Sequence, residues 1–222
     1  MPEVVLVQGM AVADYLLPGL AAFGQWTRAH LVELPGFGGS GDPPHELSVP
    51  EFGEAVSDWL TRRDLGAVVL AGHSSGTQVA AEAAVNHPGV AGLVLASPTV
   101  DPVARSVVRL LVRWQLDGRH EPPGLTESHW PEWKRAGLRR LVHLVRAHLR
   151  HVMEEPLARL TVPLLVLRGE EDRLSTREWG QRLTTLVTDG RYVECSGAHT
   201  FPWHDPRAWS KPVHGFAQMV RP

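Results

Sequence analysis

Short runs of apolar residues alternate along the chain with longer segments in which apolar residues recur at helical spacing. The apolar runs cover residues 4–7, 29–32, 67–71, 92–96, 163–167 and 191–193, and the helical segments cover 50–62, 75–86, 175–188 and 206–220. Runs without polar positions are typical of strands in a parallel sheet that helices cover on both faces. The pattern therefore predicts an α/β fold, a three-layer α/β/α sandwich around a mostly parallel sheet of about six strands.

Two of the helical segments begin with the sequence of a capping box, in which a Ser side chain and a Glu three residues later satisfy each other's backbone N–H groups. Ser48 with Glu51 precedes one segment, and Ser175 with Glu178 precedes another. We expect a helix to begin just after each of these serines.

The stretch 99–156 interrupts the alternation, because it holds no apolar run typical of a strand. It carries two amphipathic patterns instead, whose apolar faces are Val103, Val107, Leu110, Leu111 and Trp114, and Leu138, Leu141, Val142, Val145 and Leu149. These patterns predict a helical cap over 99–156, inserted into a core formed by 1–98 and 157–222. We expect the cap at the carboxyl edge of the sheet, where ligands bind in open α/β sheets.

The composition narrows the class of protein. Hydrophobic residues make up 43% and charged residues 21% of the 222 residues, which is typical of a globular domain. A formal net charge of −2 lacks the basic excess of a nucleic-acid-binding protein. The single cysteine, Cys195, excludes an internal disulfide, and no apolar stretch is long enough to span a membrane. With an N-terminus unlike a signal peptide, these features predict a cytoplasmic protein that binds neither nucleic acid nor membrane.

Residues 70–77, LAGHSSGT, place a serine between two glycines directly after an apolar run. Gly72, Ser74 and Gly76 match the sharp turn from strand to helix that presents a nucleophilic serine above a sheet. Glycine suits this turn because side chains there would collide with neighbouring backbone. The serine also needs a base, an acid that orients the base, and N–H donors for the oxyanion.

Five further segments resemble, in the right order, the motifs of the α/β-hydrolase fold superfamily, in its branch of serine hydrolases with a short helical cap. They are LVQGM, ELPGFGGSG, NHPGVAGLVLASP, VPLLVLRGEED and SGAHTFPWHDP. The resemblance covers nearly the whole chain and implies this fold in a shortened form, since the family's first two strands have no counterpart here. The sheet edge left exposed would be covered by a second copy of the chain in a homodimer.

The resemblance also implies the role of each site residue. Ser74 is the implied nucleophile, His199 the base and Asp172 the acid, in the chain order that this fold imposes. The backbone N–H groups of Met10 and Ser75 are the implied oxyanion donors. No cofactor and no metal is implied.

Alternatives stay open for several residues. Asp101 follows the apolar run 92–96, where some members of the family place the acid, and it therefore competes with Asp172. His73 lies inside the glycine turn, where we expect it to support the turn. Three histidines have poor spacing for a metal site, namely His143, His148 and His151.

The cap and the first loop carry candidates for binding a substrate and a partner. The substrate-pocket candidates are Gln8, Trp114, Trp130 and Trp133. Tryptophan walls would favour a flat or aromatic acyl group. The candidates for docking an acidic acyl-carrier protein are Arg135, Arg139, Arg140 and Arg146. The alternative for these arginines is an ordinary solvated helix face.

These features predict a serine hydrolase that acts on a small-molecule ester, thioester or lactone through an acyl-enzyme on Ser74. One alternative is an acyltransferase or carrier-protein thioesterase that moves an aromatic acyl group in a biosynthetic pathway. Another is a non-catalytic ligand receptor on the same fold. A serine rather than an aspartate at position 74 argues against dehalogenase and epoxide-hydrolase chemistry.

Overall fold

The computed structural model describes residues 1–121 and 123–220. Its centre is a sheet of six parallel strands in the order β2-β1-β3-β4-β5-β6. The strands are β1 (Glu3–Val7), β2 (Ala29–Val32), β3 (Val68–His73), β4 (Val90–Ala96), β5 (Leu164–Gly169) and β6 (Gly190–Cys195). Each strand coincides with a predicted apolar run, so the predicted parallel sheet is confirmed.

Ten α-helices occur in the described part of the chain. They are α1 (Leu17–Phe23), α2 (Val49–Arg63), α3 (Gly76–Asn86), α4 (Val107–Asp117), α5 (Leu125–Ala136), α6 (Leu138–Arg150), α7 (Glu154–Leu157), α8 (Arg177–Thr184), α9 (Phe201–His204) and α10 (Pro206–Met219). Short 3-10 turns cover Asp14–Leu16 and Pro102–Ala104.

Two separate hydrophobic cores lie on the two faces of the sheet, because successive side chains of a strand point to opposite faces. In β1, Val5 and Val7 enter one core, and Val4 and Leu6 enter the other. Helices α2, α3 and α8 cover the first core, and α1 and α10 cover the second. The three-layer sandwich predicted from the sequence is therefore confirmed.

The two predicted capping boxes have different outcomes. At the start of α2 the box is confirmed, since Ser48 and Glu51 each accept a hydrogen bond from the other's backbone N–H. The second prediction is wrong by one residue, because Thr176 is the N-cap of α8 and accepts from the Trp179 N–H. The Ser175 N–H donates instead to the side chain of Asp172, at 2.8 Å.

The strand order reverses between β1 and β3. From β1 the chain adds β2 on one side of the sheet and then crosses back to add β3 on the other side, so β1 and β3 are neighbours. Their register pairs Val7 with Gly72, so the loops after the two strands leave the sheet side by side. Ligand sites in open α/β sheets form at such a switch point. Here it brings the loop after β1 next to the predicted nucleophile turn.

Helices α4 to α7 lie between β4 and β5, in the segment for which the sequence predicted a cap, and this segment is called the cap below. The sequence predicted two helices where the structure has three long ones. The sequence did not predict α5, because Pro131 lies inside this helix and polar residues interrupt its apolar positions. Gly137, at φ 79°, separates α5 from α6. The apolar face predicted for the first helix lies at the surface, where Val107 and Trp114 are 47% and 50% exposed. None of the helices in the described residues is long and apolar enough to cross a membrane.

Candidate active site

Ser74 lies at the tip of the turn from β3 into α3, with a left-handed backbone at φ 55°. The turn is closed so tightly that a Cβ on Gly72 would lie 2.4 Å from the Gly76 carbonyl oxygen. A Cβ on Gly76 would lie 2.3 Å from the carbonyl oxygen of Gln8. The two flanking glycines are therefore required by the approach of neighbouring backbone, and this strained turn holds the serine hydroxyl above the sheet.

A hydrogen-bonded relay connects Ser74 to a buried carboxylate. His199 Nε2 lies 2.8 Å from Ser74 Oγ, and His199 Nδ1 lies 3.0 Å from Asp172 Oδ2. The other carboxylate oxygen accepts from the N–H groups of Leu174 and Ser175, each at 2.8 Å. Three loops after β3, β5 and β6 bring these groups together, because the carboxyl ends of parallel strands meet at one edge of the sheet.

The charges around His199 favour its protonated form. Burial by itself lowers the pKa of His199. The Asp172 carboxylate and its hydrogen bond to the imidazole raise this pKa, and the charges of Asp117 and Glu121 raise it further, to about 9. Burial raises the pKa of Asp172, but the His199 charge and hydrogen bonds outweigh burial and hold that pKa below its usual range. The imidazole thus lies where a positive charge formed during a reaction would be stabilised.

The loop after β1 brings a backbone donor to the same place. The Met10 N–H donates to Ser75 Oγ at 2.8 Å, directly beside the turn that carries Ser74. Ser75 is the N-cap of α3, so its own backbone lies at the positive end of the helix dipole. The two N–H groups predicted as oxyanion donors are therefore on adjacent segments.

His73 contacts the backbone of His199. Its Nε2 lies 2.9 Å from the His199 carbonyl oxygen, which can only accept, so Nε2 carries the proton. Its Nδ1 then accepts from the Tyr15 hydroxyl at 2.6 Å. Burial lowers the pKa of His73 to about 3, which keeps this ring neutral. His73 holds the backbone of His199 and so acts through it.

Asp101, the competing acid, lies elsewhere. Its carboxylate pairs with Arg113 and accepts from the Ala104 N–H at 2.7 Å, as the N-cap of the turn after β4. The carboxylate that the structure places against His199 is that of Asp172.

Residues 4–211 match the model of a protein family described as the alpha/beta hydrolase family. The match spans most of the chain and includes all six strands. The chain belongs to the α/β-hydrolase family. No sequence among the curated proteins matches this α/β hydrolase.

Solved structures share the fold of this α/β hydrolase along most of its length. A lipase-esterase related protein from Clostridium acetobutylicum ATCC 824 has a TM-score of 0.83 at 14% identity, with 97% of this chain and 94% of that chain covered. A thermophilic esterase from Thermogutta terrifontis has a TM-score of 0.76 at 18% identity, covering 100% and 91%. The enol-lactonase from Burkholderia xenovorans LB400 has a TM-score of 0.75 at 17% identity, covering 98% and 91%. At these identities the likeness shows the fold alone.

The four candidate pocket residues of this α/β hydrolase occupy different environments. The Trp133 indole N–H donates to the Met10 carbonyl oxygen at 2.9 Å, so this ring reaches the loop of the oxyanion donor. Trp114 packs edge-on against Trp133 but is half exposed, and Trp130 is 63% exposed on the outer side of α5. Gln8 is buried, and neither atom of its amide has a hydrogen-bond partner among the described residues.

The candidate docking arginines lie on α5 and α6. Arg139 pairs with Glu46 at 3.0 Å, and Arg140 pairs with Asp42 at 2.8 Å. Arg135 and Arg146 are exposed. Arg139 and Arg146 also line a groove of about 530 Å³ on the cap surface.

The cap histidines make contacts that tie α6 and the segment after it to the hydrolase core. His148 Nδ1 lies 2.5 Å from the Gln78 amide oxygen, and His151 Nε2 lies 2.7 Å from the Glu82 carboxylate. His143 Nε2 donates to the Leu47 carbonyl oxygen. Across residues 1–121 and 123–220, no cluster of three or more His, Cys, Asp or Glu is arranged to hold a metal ion.

Sequence reasoning missed three acidic residues of the cap that reach the loops of the active site. The Asp117 carboxylate accepts from the Arg173 N–H at 2.7 Å, one residue after Asp172. Glu121 accepts from the N–H and the hydroxyl of Thr200, one residue after His199. Glu132 accepts from the N–H groups of Ala13 and Asp14 in the loop after β1. Acidic residues on amphipathic helices are normally solvated, so the sequence carried no signal of their burial.

Proposed function

We propose that this α/β hydrolase is a serine hydrolase that transfers a carboxylic acyl group to Ser74 and then to water. The observation that carries the proposal is the continuous relay from Asp172 through His199 to Ser74, with distances of 3.0 and 2.8 Å. A nucleophile, a base and an acid that orients the base are the groups that this chemistry requires.

Each step follows from the position of these groups. Neutral His199 takes the hydroxyl proton as Ser74 Oγ attacks the acyl carbon, and Asp172 stabilises the imidazolium that results. The oxyanion accepts hydrogen bonds from the N–H groups of Met10 and Ser75, with the first displaced from the Ser75 hydroxyl. His199 then returns the proton to the leaving group, which departs as the acyl-enzyme forms. Water activated by His199 attacks the acyl-enzyme and releases the acid.

The proposed substrates are carboxylic esters, thioesters or lactones. All three carry an acyl carbon with a leaving group that accepts the proton from His199. The proposal draws support from the solved structures with the same fold, since one is described as an esterase and another as an enol-lactonase. The reaction needs no group beyond the protein side chains and water.

A fluorophosphonate probe tests the proposal, because it phosphonylates only a serine that is activated as a nucleophile. We expect one adduct on the wild-type protein by intact-mass spectrometry, located at Ser74 by peptide mapping. Ser74→Ala should give none, while Ser128→Ala, in the cap, should label like wild type. A folded wild-type protein that forms no adduct would contradict the proposal and favour a ligand receptor on this fold.

A second candidate function keeps the acyl-enzyme but takes the acyl group from, or gives it to, an acidic carrier protein. One observation favours it. The cap buries or half-buries most of its acidic residues and exposes most of its basic ones. The exposed basic residues are Arg109, Arg119, Lys134, Arg135, Arg139, Arg146 and Arg150. Only Glu127 and Glu155 are exposed acids among the described cap residues. A surface of this charge complements an acidic partner.

A further inference from the structure

The cap contacts the oxyanion loop at the residue that carries the predicted donor. This loop covers residues 9–14 and follows β1. From α5, the Trp133 indole N–H donates to the Met10 carbonyl oxygen at 2.9 Å. The next residue along α5 toward its N-terminus, Glu132, accepts from the Ala13 N–H at 3.1 Å and from the Asp14 N–H at 3.1 Å.

The geometry points to Glu132 and Trp133 as a positioning pair that sets the direction of the Met10 N–H toward the oxyanion. The inference rests on the proposed function, because an oxyanion forms only if Ser74 attacks an acyl carbon. Neither side chain touches the reacting atoms, so both act through the backbone of the oxyanion loop.

The oxyanion loop needs support from outside because its own conformation is unfavourable. Met10 and Ala11 have φ angles of 44° and 64°, in the left-handed region that side chains with a Cβ disfavour. Within the loop, one backbone hydrogen bond closes the turn, from the Val12 N–H to the Gly9 carbonyl oxygen at 3.0 Å. A strained segment keeps such a conformation only where its surroundings hold it.

Met10 is held on both sides. Its N–H donates to Ser75 Oγ at 2.8 Å on the core side, and its carbonyl oxygen accepts from Trp133 on the cap side. Rotation of the Met10 backbone would break one of these bonds and turn the N–H away from the turn that carries Ser74 and Ser75. The indole hydrogen bond therefore opposes the motion that would remove the donor.

Glu132 anchors the other end of the same loop. It is only 5% exposed, and burial raises the pKa of its carboxyl, while the N–H groups of Asp14 and Ala13 offset part of this effect. A carboxylate is stable in such a place when backbone N–H groups surround it. Since both ends of the loop are bonded to neighbouring residues of α5, a shift of that helix moves the loop with it.

Two further acids of the cap make the same kind of contact, which argues against a chance contact. Asp117 accepts from the residue after Asp172, and Glu121 from the residue after His199. The cap thus contacts Met10 itself and the backbone next to Asp172 and His199. A cap that closes over substrate would complete the catalytic geometry as it closes.

The test compares Trp133→Phe with Trp59→Phe, a matched change of another half-buried tryptophan, on α2 of the core, where the ring packs edge-on against His30. Removing the indole N–H should lower kcat by about ten- to a hundredfold and leave KM nearly unchanged, because the oxyanion exists only after attack. Affinity for a trifluoromethyl ketone that forms a hemiketal on Ser74 should fall in parallel with kcat/KM. Trp59→Phe should match wild type in both.

Glu132→Gln and Glu127→Gln form a second matched pair, for the case in which Trp133→Phe fails to fold. Glu132→Gln should lower kcat with little change in KM, while Glu127→Gln, an exposed acid of α5, should not. A fall in thermal stability without a change in kcat would overturn the inference, since it would leave the pair with a structural role only.

Hydrogen exchange of the backbone amides in residues 9–14 tests the positioning independently of activity. We expect faster exchange of this segment in Trp133→Phe than in Trp59→Phe, with the rest of the sheet unchanged. Equal exchange in the two variants would overturn the inference even if the wild-type protein proved inactive. Failure of the proposed function would appear separately, as a wild-type protein without an adduct at Ser74.

Discussion

Three carboxyl groups surround His199, which is more negative charge than the proposed role of this residue as a base requires. Asp172 contacts it directly, and the cap supplies Asp117 and Glu121 beside it. All three carboxyl groups raise the pKa of the imidazole, against the effect of burial. A base with a raised pKa is protonated at neutral pH, so its reactive neutral form becomes abundant only under alkaline conditions.

This environment predicts the pH dependence of the reaction. His199 accepts the serine proton only when it is neutral, so kcat/KM should rise with pH up to about 9, through the pKa of this group. Asp117→Asn removes a negative charge but keeps a carbonyl that accepts from the Arg173 N–H. The imidazolium loses stabilisation, its pKa falls, and the acidic limb of the kcat/KM profile should move to lower pH by about one unit.

The control for this prediction is Glu127→Gln, which removes an exposed carboxylate from the cap. Profiles of kcat/KM are measured across the pH range in which each variant stays folded. An acidic limb that stays in place, or that moves to higher pH, in Asp117→Asn would contradict the argument.

At the scale of elements, the active site depends on how closely β1, β3 and α3 approach one another. The carbonyl groups of Val7 and Gln8 press against the first turn of α3, where only a glycine fits. The position of the oxyanion loop is therefore coupled to the geometry of the turn that carries Ser74.

Gly76→Ala tests this coupling. Its Cβ would lie 2.3 Å from the Gln8 carbonyl oxygen, so β1 and α3 would have to separate. We expect a loss of about 1–3 kcal/mol in the free energy of unfolding, as in other overpacked sites, together with much slower labelling of Ser74. Urea denaturation and the rate of fluorophosphonate labelling measure the two effects.

Gly215→Ala is the matched change in an open position of a helix. No atom lies within 4 Å of the Cβ that it would add, and alanine in a helix gains up to about 1 kcal/mol over glycine. If Gly76→Ala were as stable and as reactive as Gly215→Ala, the close approach of the two elements would not matter to the site.

At the scale of the whole molecule, the cap divides its charges between two environments. Three of its buried or half-buried acids, Asp117, Glu121 and Glu132, bond to the loops of the candidate site, and most of its basic residues are exposed. The cap also exposes large apolar side chains, including Val108 and Trp130.

Reversing the charge of this surface separates the two candidate functions. The double variant Arg135→Glu and Arg146→Glu should lower kcat/KM for a carrier-bound acyl thioester by about tenfold or more, with the effect shrinking at high salt. It should leave hydrolysis of a small free ester unchanged. Arg182→Glu, on α8 of the core, should affect neither reaction. Equal kcat/KM of wild type and double variant on the carrier-bound thioester would remove the carrier-protein candidate.

Several features follow from the sequence by itself, since the physics behind them is local. Apolar runs bounded by turn residues predicted the six strands, and helical spacing predicted α2, α3, α8 and α10. The glycine spacing around Ser74 predicted the sharp turn, because a backbone without Cβ atoms is needed there whatever lies nearby. The motif order was enough to predict the fold and to select His199 from the histidines of the chain.

Other features were decided only by the tertiary structure, because they depend on contacts between residues far apart in sequence. Asp101 and Asp172 follow neighbouring strands, and only the packing of α4 and the loops shows that Arg113 holds the first while His199 faces the second. Helix α8 begins one residue later than the sequence predicted, because the Ser175 N–H donates to the Asp172 side chain. Asp117 and Glu132 are buried, and Trp133 contacts Met10, because α4 and α5 pack against loops of the core. No local sequence pattern predicts this packing.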